Sequence, residues 1–175
     1  MRLGVLSDIH GNRIALDAVL ADMPPVEGLV CAGDVVGYNP WPQACVDSVR
    51  DHDMAMVLGN HDRAVAGALG WLGSLSTEHR VADGRVKLVH GHPDDPDHYT
   101  HPDEFSAALL GDEELLVMGH THHQYHERDD EGIVLNPGSV GQPRDGDPDA
   151  TYAVVDAVVD AGLPERVGTR LREGR

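Results

Sequence analysis

Five short clusters carry residues that can do chemistry together: Asp8-Ile9-His10, Gly33-Asp34, Gly59-Asn60-His61-Asp62, His90-Gly91-His92 and Gly119-His120-Thr121-His122. From them Asp8, His10, Asp34, Asn60, His90, His120 and His122 offer carboxylate, amide and imidazole atoms suited to a pair of divalent metals. Such a mixed set fits borderline ions, Mn²⁺, Ni²⁺, Fe²⁺, Co²⁺ or Zn²⁺, and the absence of cysteine from it disfavours a structural zinc site. Two such ions roughly 3.5 to 4 Å apart deprotonate a shared water near neutral pH and stabilise both the attacking and the leaving oxygen of a phosphoryl displacement. Hydrolysis of a phosphoester is the expected chemistry.

The elements that must position these residues follow from hydrophobic periodicity. Arg2 to Ser7, Gly28 to Ala32 and Met54 to Leu58 read as buried strands, and Arg13 to Met23 and Pro42 to Asp51 as helices, the first stopped by Pro24-Pro25. That β-α-β-α-β order predicts a parallel sheet. Thereafter strands dominate: Arg85 to Val89, Leu115 to Met118, Gln124 to Arg128, Ile133 to Leu135, Thr151 to Val155 and Arg166 to Leu171, with one helix near Asp103 to Leu110. Asp129-Asp130-Glu131-Gly132 is a hairpin turn sequence. In open α/β sheets ligands collect beyond the carboxyl ends of strands, and Asp8, Asp34, Asn60, His90 and His120 each follow a predicted strand. One domain spanning residues 1–175 is the expectation for a chain of this length.

Charge narrows the partners. The net charge is -17, with Lys87 the only lysine and acids crowding the loops. Such a surface repels itself at low salt and is tolerated where the Debye length falls to about 3 Å at 1 M, which suggests a halophilic source. An ordinary acidic protein would share the count, and a stability curve against potassium chloride separates the two. No basic patch supports long nucleic acid as a substrate. No apolar run approaches the roughly 20 residues of a membrane span, so a cytoplasmic protein with no membrane partner is expected. Cys31 and Cys45 read as buried free thiols.

The order D-x-H, GD, GNHD, HG and GHTH resembles that of the calcineurin-like metallophosphoesterases, more closely their small YfcE-like phosphodiesterase subgroup, and covers Asp8 to His122. The stretch Leu135 to Arg144 is similar to that subgroup's tail motif. The resemblance implies a four-layer α/β/β/α sandwich with two mixed sheets. It implies that Asp8, His10 and His122 hold a first metal, that Asn60, His90 and His120 hold a second, and that Asp34 bridges them. Manganese is the first expectation for both ions. It implies further that a metal-bridging hydroxide attacks in line with the leaving oxygen, with no covalent enzyme intermediate. His61 would sit beside the phosphate, protonating the leaving alkoxide or steadying the developing charge, its pKa held up by Asp62.

Other residues keep open readings. Asn12 either binds the phosphate or caps the first helix. Asn136 to Ser139 reads as a turn supporting the ligand loops, and His92 and His123, next to ligands, as groups that orient them. The remaining histidines, His52, His79, His98, His101 and His126, read as solvated. The phosphoprotein phosphatases of this superfamily continue GD as GDxVDRG, whereas here Gly33-Asp34-Val35-Val36-Gly37-Tyr38 lacks the arginine. Less cationic help suits a small phosphodiester or nucleotide better than a phosphoprotein. The competing readings are a phosphomonoesterase or phosphoprotein phosphatase and a non-catalytic scaffold of the same fold, and a homo-oligomer is compatible with all three.

Overall fold

The computed structural model describes residues 1–67, 70–156 and 169–170. In chain order the elements are β1 (Arg2–Leu6), α1 (Arg13–Asp22), β2 (Gly28–Cys31), α2 (Pro42–Asp51), β3 (Ala55–Met56), α3 (Asn60–Val65), β4 (Glu78–Val81), β5 (Val86–Val89), β6 (Leu115–Val117), β7 (Gln124–Arg128), β8 (Ile133–Pro137), β9 (Thr151–Asp156) and β10 (Thr169–Arg170). They form two mixed sheets, ordered β10-β9-β1-β2-β3 and β4-β5-β6-β8-β7. β1, β2 and β3 run parallel in the first, as do β5, β6 and β8 in the second, with antiparallel strands outside them.

Alternation along the strands dictates the layers, because successive side chains point to opposite faces. Leu3 and Val5 of β1 and Val30 of β2 join Val86, Leu88, Leu115, Val117, Ile133 and Leu135 in one apolar cluster between the sheets. Leu6 and Cys31 point the other way, into a cluster with Leu16 and Val19 of α1 and Cys45, Val46 and Val49 of α2. Leu116 and Val134 face outward from the second sheet onto Phe105, Leu109 and Leu110.

The outer cover of the second sheet differs from the expected helix near Asp103 to Leu110. Two 3₁₀ turns, Pro102–Glu104 and Ala107–Leu109, stand there, separated by Ser106 in fully extended backbone at φ -163°. The edge strand β4 was not legible in its sequence, since Glu78, His79, Arg80 and Val81 are all at least partly exposed and carry no alternation. The third strand is shorter than expected, because Leu58 already donates its NH to Ser76 rather than along a ladder, at 2.9 Å. The hairpin between β7 and β8 forms as its sequence suggests, with the Asp129 carboxylate accepting from the NH groups of Glu131 (2.8 Å) and Gly132 (3.2 Å). Of the expected strand Arg166 to Leu171 only β10 is described, and the rest lies outside the described residues. No helix among the described residues is long and apolar enough to cross a membrane.

Candidate metal centre

Five strand ends converge on one edge of the molecule: β1 leads to Asp8 and His10, β2 to Asp34, β3 to Asn60, β5 to His90 and β6 to His120 and His122. Turning so abruptly out of a strand costs backbone energy. Asp8, His10, Asp34, His120 and His122 all sit at positive φ, between 49° and 69°, a region that side-chain-bearing residues rarely occupy. Strain of this kind persists where surrounding structure imposes it, and it gathers at functional sites. Glycine relieves the crowding between loops. A β-carbon on Gly59 would stand 2.0 Å from the Asp34 carboxylate, and one on Gly119 would stand 2.0 Å from the Ser7 hydroxyl.

Asp8 is fully buried and uses its two oxygens differently. Oδ2 accepts from the Ser7 hydroxyl (2.7 Å) and the His120 NH (3.1 Å). Oδ1 has no hydrogen-bond partner. It faces His122 Nε2 at 3.2 Å and His10 Nε2 at 3.5 Å. Those two nitrogens lie 3.0 Å apart. Because His10 Nδ1 donates to the Val36 carbonyl (3.1 Å) and His122 Nδ1 to that of Gln142 (2.6 Å), Nε2 is the nitrogen each ring turns toward Asp8, and it presents a lone pair whenever the ring carries one proton. An orphaned buried carboxylate oxygen and two opposed lone pairs are an arrangement that a cation satisfies and a hydrogen bond does not.

A second group adjoins the first. His90 Nδ1 donates to the Ala32 carbonyl at 2.7 Å, leaving Nε2 toward Asn60 Oδ1 at 3.2 Å and Asp34 Oδ2 at 3.4 Å. The same Asp34 oxygen is 3.8 Å from His10 Nε2. His120 packs beside His90, ring centroids 4.8 Å apart, with its Nε2 on the Asp97 carbonyl at 3.3 Å, so Nδ1 is the ring nitrogen left for a ligand. All seven metal-ligand candidates are thus assembled at one site, with Asp34 between the His10 side and the His90 side.

The carboxylates of Asp8 and Asp34 and the His90 ring shift toward charge, whereas burial, and then His90, pull His120 down to about 4. Burial pushes the Asp8 carboxyl up, but the neighbouring rings of His10 and His122 outweigh it and hold the group well below its ordinary range. Burial likewise opposes ionisation of Asp34, and His90 overcomes it. Burial pulls His90 down, yet Asp34 and Asp8 lift it to about 9. Ionised carboxylates and an imidazole drawn toward protonation describe a cavity that attracts positive charge.

Two expectations change here. Asp62 does not support His61: its carboxylate accepts from the Val36 NH (3.1 Å) and the Gly59 NH (3.2 Å), and it joins the two loops instead. Burial lifts its pKa to about 6. His61 is lowered, chiefly by its own burial, while its backbone NH donates to Asp34 Oδ1 at 2.9 Å. Asn12 is a helix cap. Its amide oxygen accepts from Ala15 (3.1 Å) and its nitrogen donates to the Gly141 carbonyl (3.2 Å), leaving little of it for a ligand.

Backbone carbonyls, rather than His92 or His123, orient the metal-facing rings. His92 Nδ1 accepts from the Asp94 NH at 3.1 Å and its ring packs on His98, which itself bonds Glu104. The stretch Asn136 to Ser139 begins as the end of β8 rather than as a tight turn, and it supports the ligand loops through its side chains rather than its backbone. Asn136 donates to the Gly119 carbonyl at 2.7 Å, and the Ser139 hydroxyl to the Asp8 carbonyl at 2.7 Å. Sequence reasoning passed over Tyr38, whose ring lies 4.7 Å from those of both His10 and His61, and Tyr99, stacked on His120 at 3.7 Å. Neither tyrosine has a spacing that marks it.

Residues 1–160 match the model of the calcineurin-like phosphoesterase superfamily domain. The chain belongs to that superfamily. It is 31% identical to an uncharacterized protein of Methanocaldococcus jannaschii, over 99% of this chain and 98% of the relative. It is 30% identical to the phosphodiesterase YfcE of Escherichia coli, over 89% of this chain and 88% of that protein. The crystal structure of a metallophosphoesterase from Sphaerobacter thermophilus superposes with a TM-score of 0.83 at 32% identity, covering 98% of this chain and 89% of the other. This phosphoesterase has the α/β fold of two mixed sheets that those structures share, and it is a metal-dependent phosphoric ester hydrolase.

Proposed function

We propose that this phosphoesterase is a dinuclear phosphodiesterase acting on small phosphodiesters or nucleotides. The observation that carries the reading is the position of Asp34 Oδ2, 3.8 Å from His10 Nε2 and 3.4 Å from His90 Nε2, which suits one carboxylate shared by two cations. Asp8, His10 and His122 would hold the first ion and Asn60, His90 and His120 the second, with Mn²⁺ the leading choice for an oxygen-and-imidazole set. When bound, the ions supply Lewis acidity, bringing deprotonation of water near neutral pH and offsetting charge on the phosphoryl oxygens.

The protein's own part is positioning. Carbonyls of Val36, Ala32 and Gln142 engage Nδ1 of His10, His90 and His122, so the Nε2 atom of each ring already faces inward before any ion arrives. His61 is partly buried beside the ligand candidates, tied by its NH to Asp34. A phosphate anion arriving beside this ring raises its basicity, and from there His61 serves the leaving oxygen as proton donor or hydrogen-bond partner.

Diesters are favoured over monoesters because a diester brings only one negative charge, and the loop Gly33 to Tyr38 carries no arginine to pair with a second. Similarity to a phosphodiesterase supports the same choice. With manganese present, the protein should hydrolyse bis-p-nitrophenyl phosphate with a larger kcat/KM than p-nitrophenyl phosphate. Inertness toward both across Mn²⁺, Ni²⁺, Co²⁺ and Zn²⁺ would overturn the reading, and a reversed ratio would make it a monoesterase.

A further inference from the structure

The loops that orient His10 and His122 also bring two exposed side chains together at the mouth of the centre. Val36, which accepts from His10, lies two residues before Tyr38; Gln142, which accepts from His122, lies two residues before Arg144. Tyr38 stands at φ 30° and is 56% exposed, with its ring against both His10 and His61. Gly37 makes that approach feasible, since a β-carbon there would lie 2.9 Å from His61 Nδ1 and 3.0 Å from His10 Nδ1. Arg144 Nη2 donates to the Tyr38 hydroxyl at 3.1 Å and to Gln142 Oε1 at 3.2 Å, and its guanidinium carbon lies 5.8 Å from the centre of the Tyr38 ring.

In a chain of net charge -17 most of the described basic side chains sit on acids, whereas Arg50 packs over Trp71 and Arg144 over Tyr38. Arg2, Arg13, Arg63, Arg80, Arg85 and Lys87 each pair with a carboxylate. Among the described residues Arg144 pairs with none, and both its hydrogen bonds come from one nitrogen. Nε and Nη1 keep their hydrogens free to donate to a phosphate oxygen, while Nη2 is held by the two loops.

We propose that Arg144 is the phosphate-binding cation of this centre, pairing with the single anionic charge of the scissile diester, and that Tyr38 is a positioning residue that aims it. The inference rests on the phosphodiesterase reading and deepens it. It places on the tail loop the cation that is missing from the loop Gly33 to Tyr38. Tyr38 sets the direction of the guanidinium through its hydroxyl and ring face, beside the histidine that would serve the leaving group.

The test compares wild type with Arg144→Met, Arg144→Lys and Tyr38→Phe, using manganese-loaded protein. Arg85→Gln serves as the charge control, since Arg85 precedes β5, at the end opposite His90. Calorimetric titration with inorganic phosphate should show a dissociation constant raised roughly 10- to 100-fold in Arg144→Met, less in Arg144→Lys and Tyr38→Phe, and unchanged in Arg85→Gln. KM for bis-p-nitrophenyl phosphate should rise by a similar factor, with kcat within about threefold and manganese content unchanged. Phosphate affinity and KM that stay at wild-type values in Arg144→Met would overturn the proposal while leaving phosphodiesterase activity intact. Should every form be inactive toward diesters, the phosphodiesterase reading fails separately, and the phosphate titration still decides whether Arg144 binds the anion.

Discussion

The Nε2 atoms of His10 and His122 face each other at 3.0 Å, although the opposite nitrogen of each ring is already committed to a carbonyl, that of Val36 or Gln142. Two lone pairs and the unpartnered Asp8 Oδ1 therefore share one small volume. In a protein interior such a grouping is costly unless a cation occupies it.

His61 and Asp34 separate turnover from metal binding. His61→Ala should keep its manganese, measured by elemental analysis after gel filtration, and lose about 10²- to 10⁴-fold in kcat. Asp34→Asn should lose metal as well as activity. Full metal retention in Asp34→Asn would show that its carboxylate is not shared.

Chelation should lower stability. Metal held at 100 times its dissociation constant adds about 2.7 kcal/mol. For a chain of this size that is a fall in Tm of roughly 5 to 10 °C on adding EDTA, read by calorimetry. Identical melting with and without chelator would mean that the lone pairs are satisfied by something else.

Asp62 should matter for stability more than for proton transfer. Its buried carboxylate ties Val36 to Gly59, so Asp62→Ala leaves two backbone NH groups without partners at a cost of about 2 to 4 kcal/mol. Denaturant unfolding measures this directly. A stable Asp62→Ala whose only defect is in the titration of His61 would restore the direct pairing of these two side chains.

The thiols should be inert. Burial pushes Cys45 up to about 11 and Cys31 higher still, so both remain protonated at pH 8. Ellman's reagent should label neither in the folded protein and both in denaturant. Rapid labelling of Cys31 in the native state would contradict its packing between β2 and the helices α1 and α2.

Much of this arrangement was legible in the sequence because strand ends and metal-compatible residues coincide. Asp8, Asp34, Asn60, His90 and His120 each follow a run of buried apolar residues, and the parallel sheets carry all five to one edge. The helix expected near Asp103 dissolves into two 3₁₀ turns because its apolar residues, Phe105, Leu109 and Leu110, only need to reach the outer face of the second sheet. Edge strand β4 has no buried face to enforce a pattern. Proximity in sequence to His61 says nothing about the direction of the Asp62 side chain: the short helix α3 points its carboxylate back toward Gly59 and across to Val36. Tyr38 and Arg144 lie 106 residues apart and meet only through loops whose shape depends on the histidines they hold.

The central claim is that these side chains converge to hold two cations with Asp34 between them. Crystals grown with Mn²⁺ and measured near the manganese edge should give two anomalous peaks, one among Asp8, His10 and His122 and one among Asn60, His90 and His120, both within bonding distance of Asp34. A single peak, or peaks away from Asp34, would contradict it.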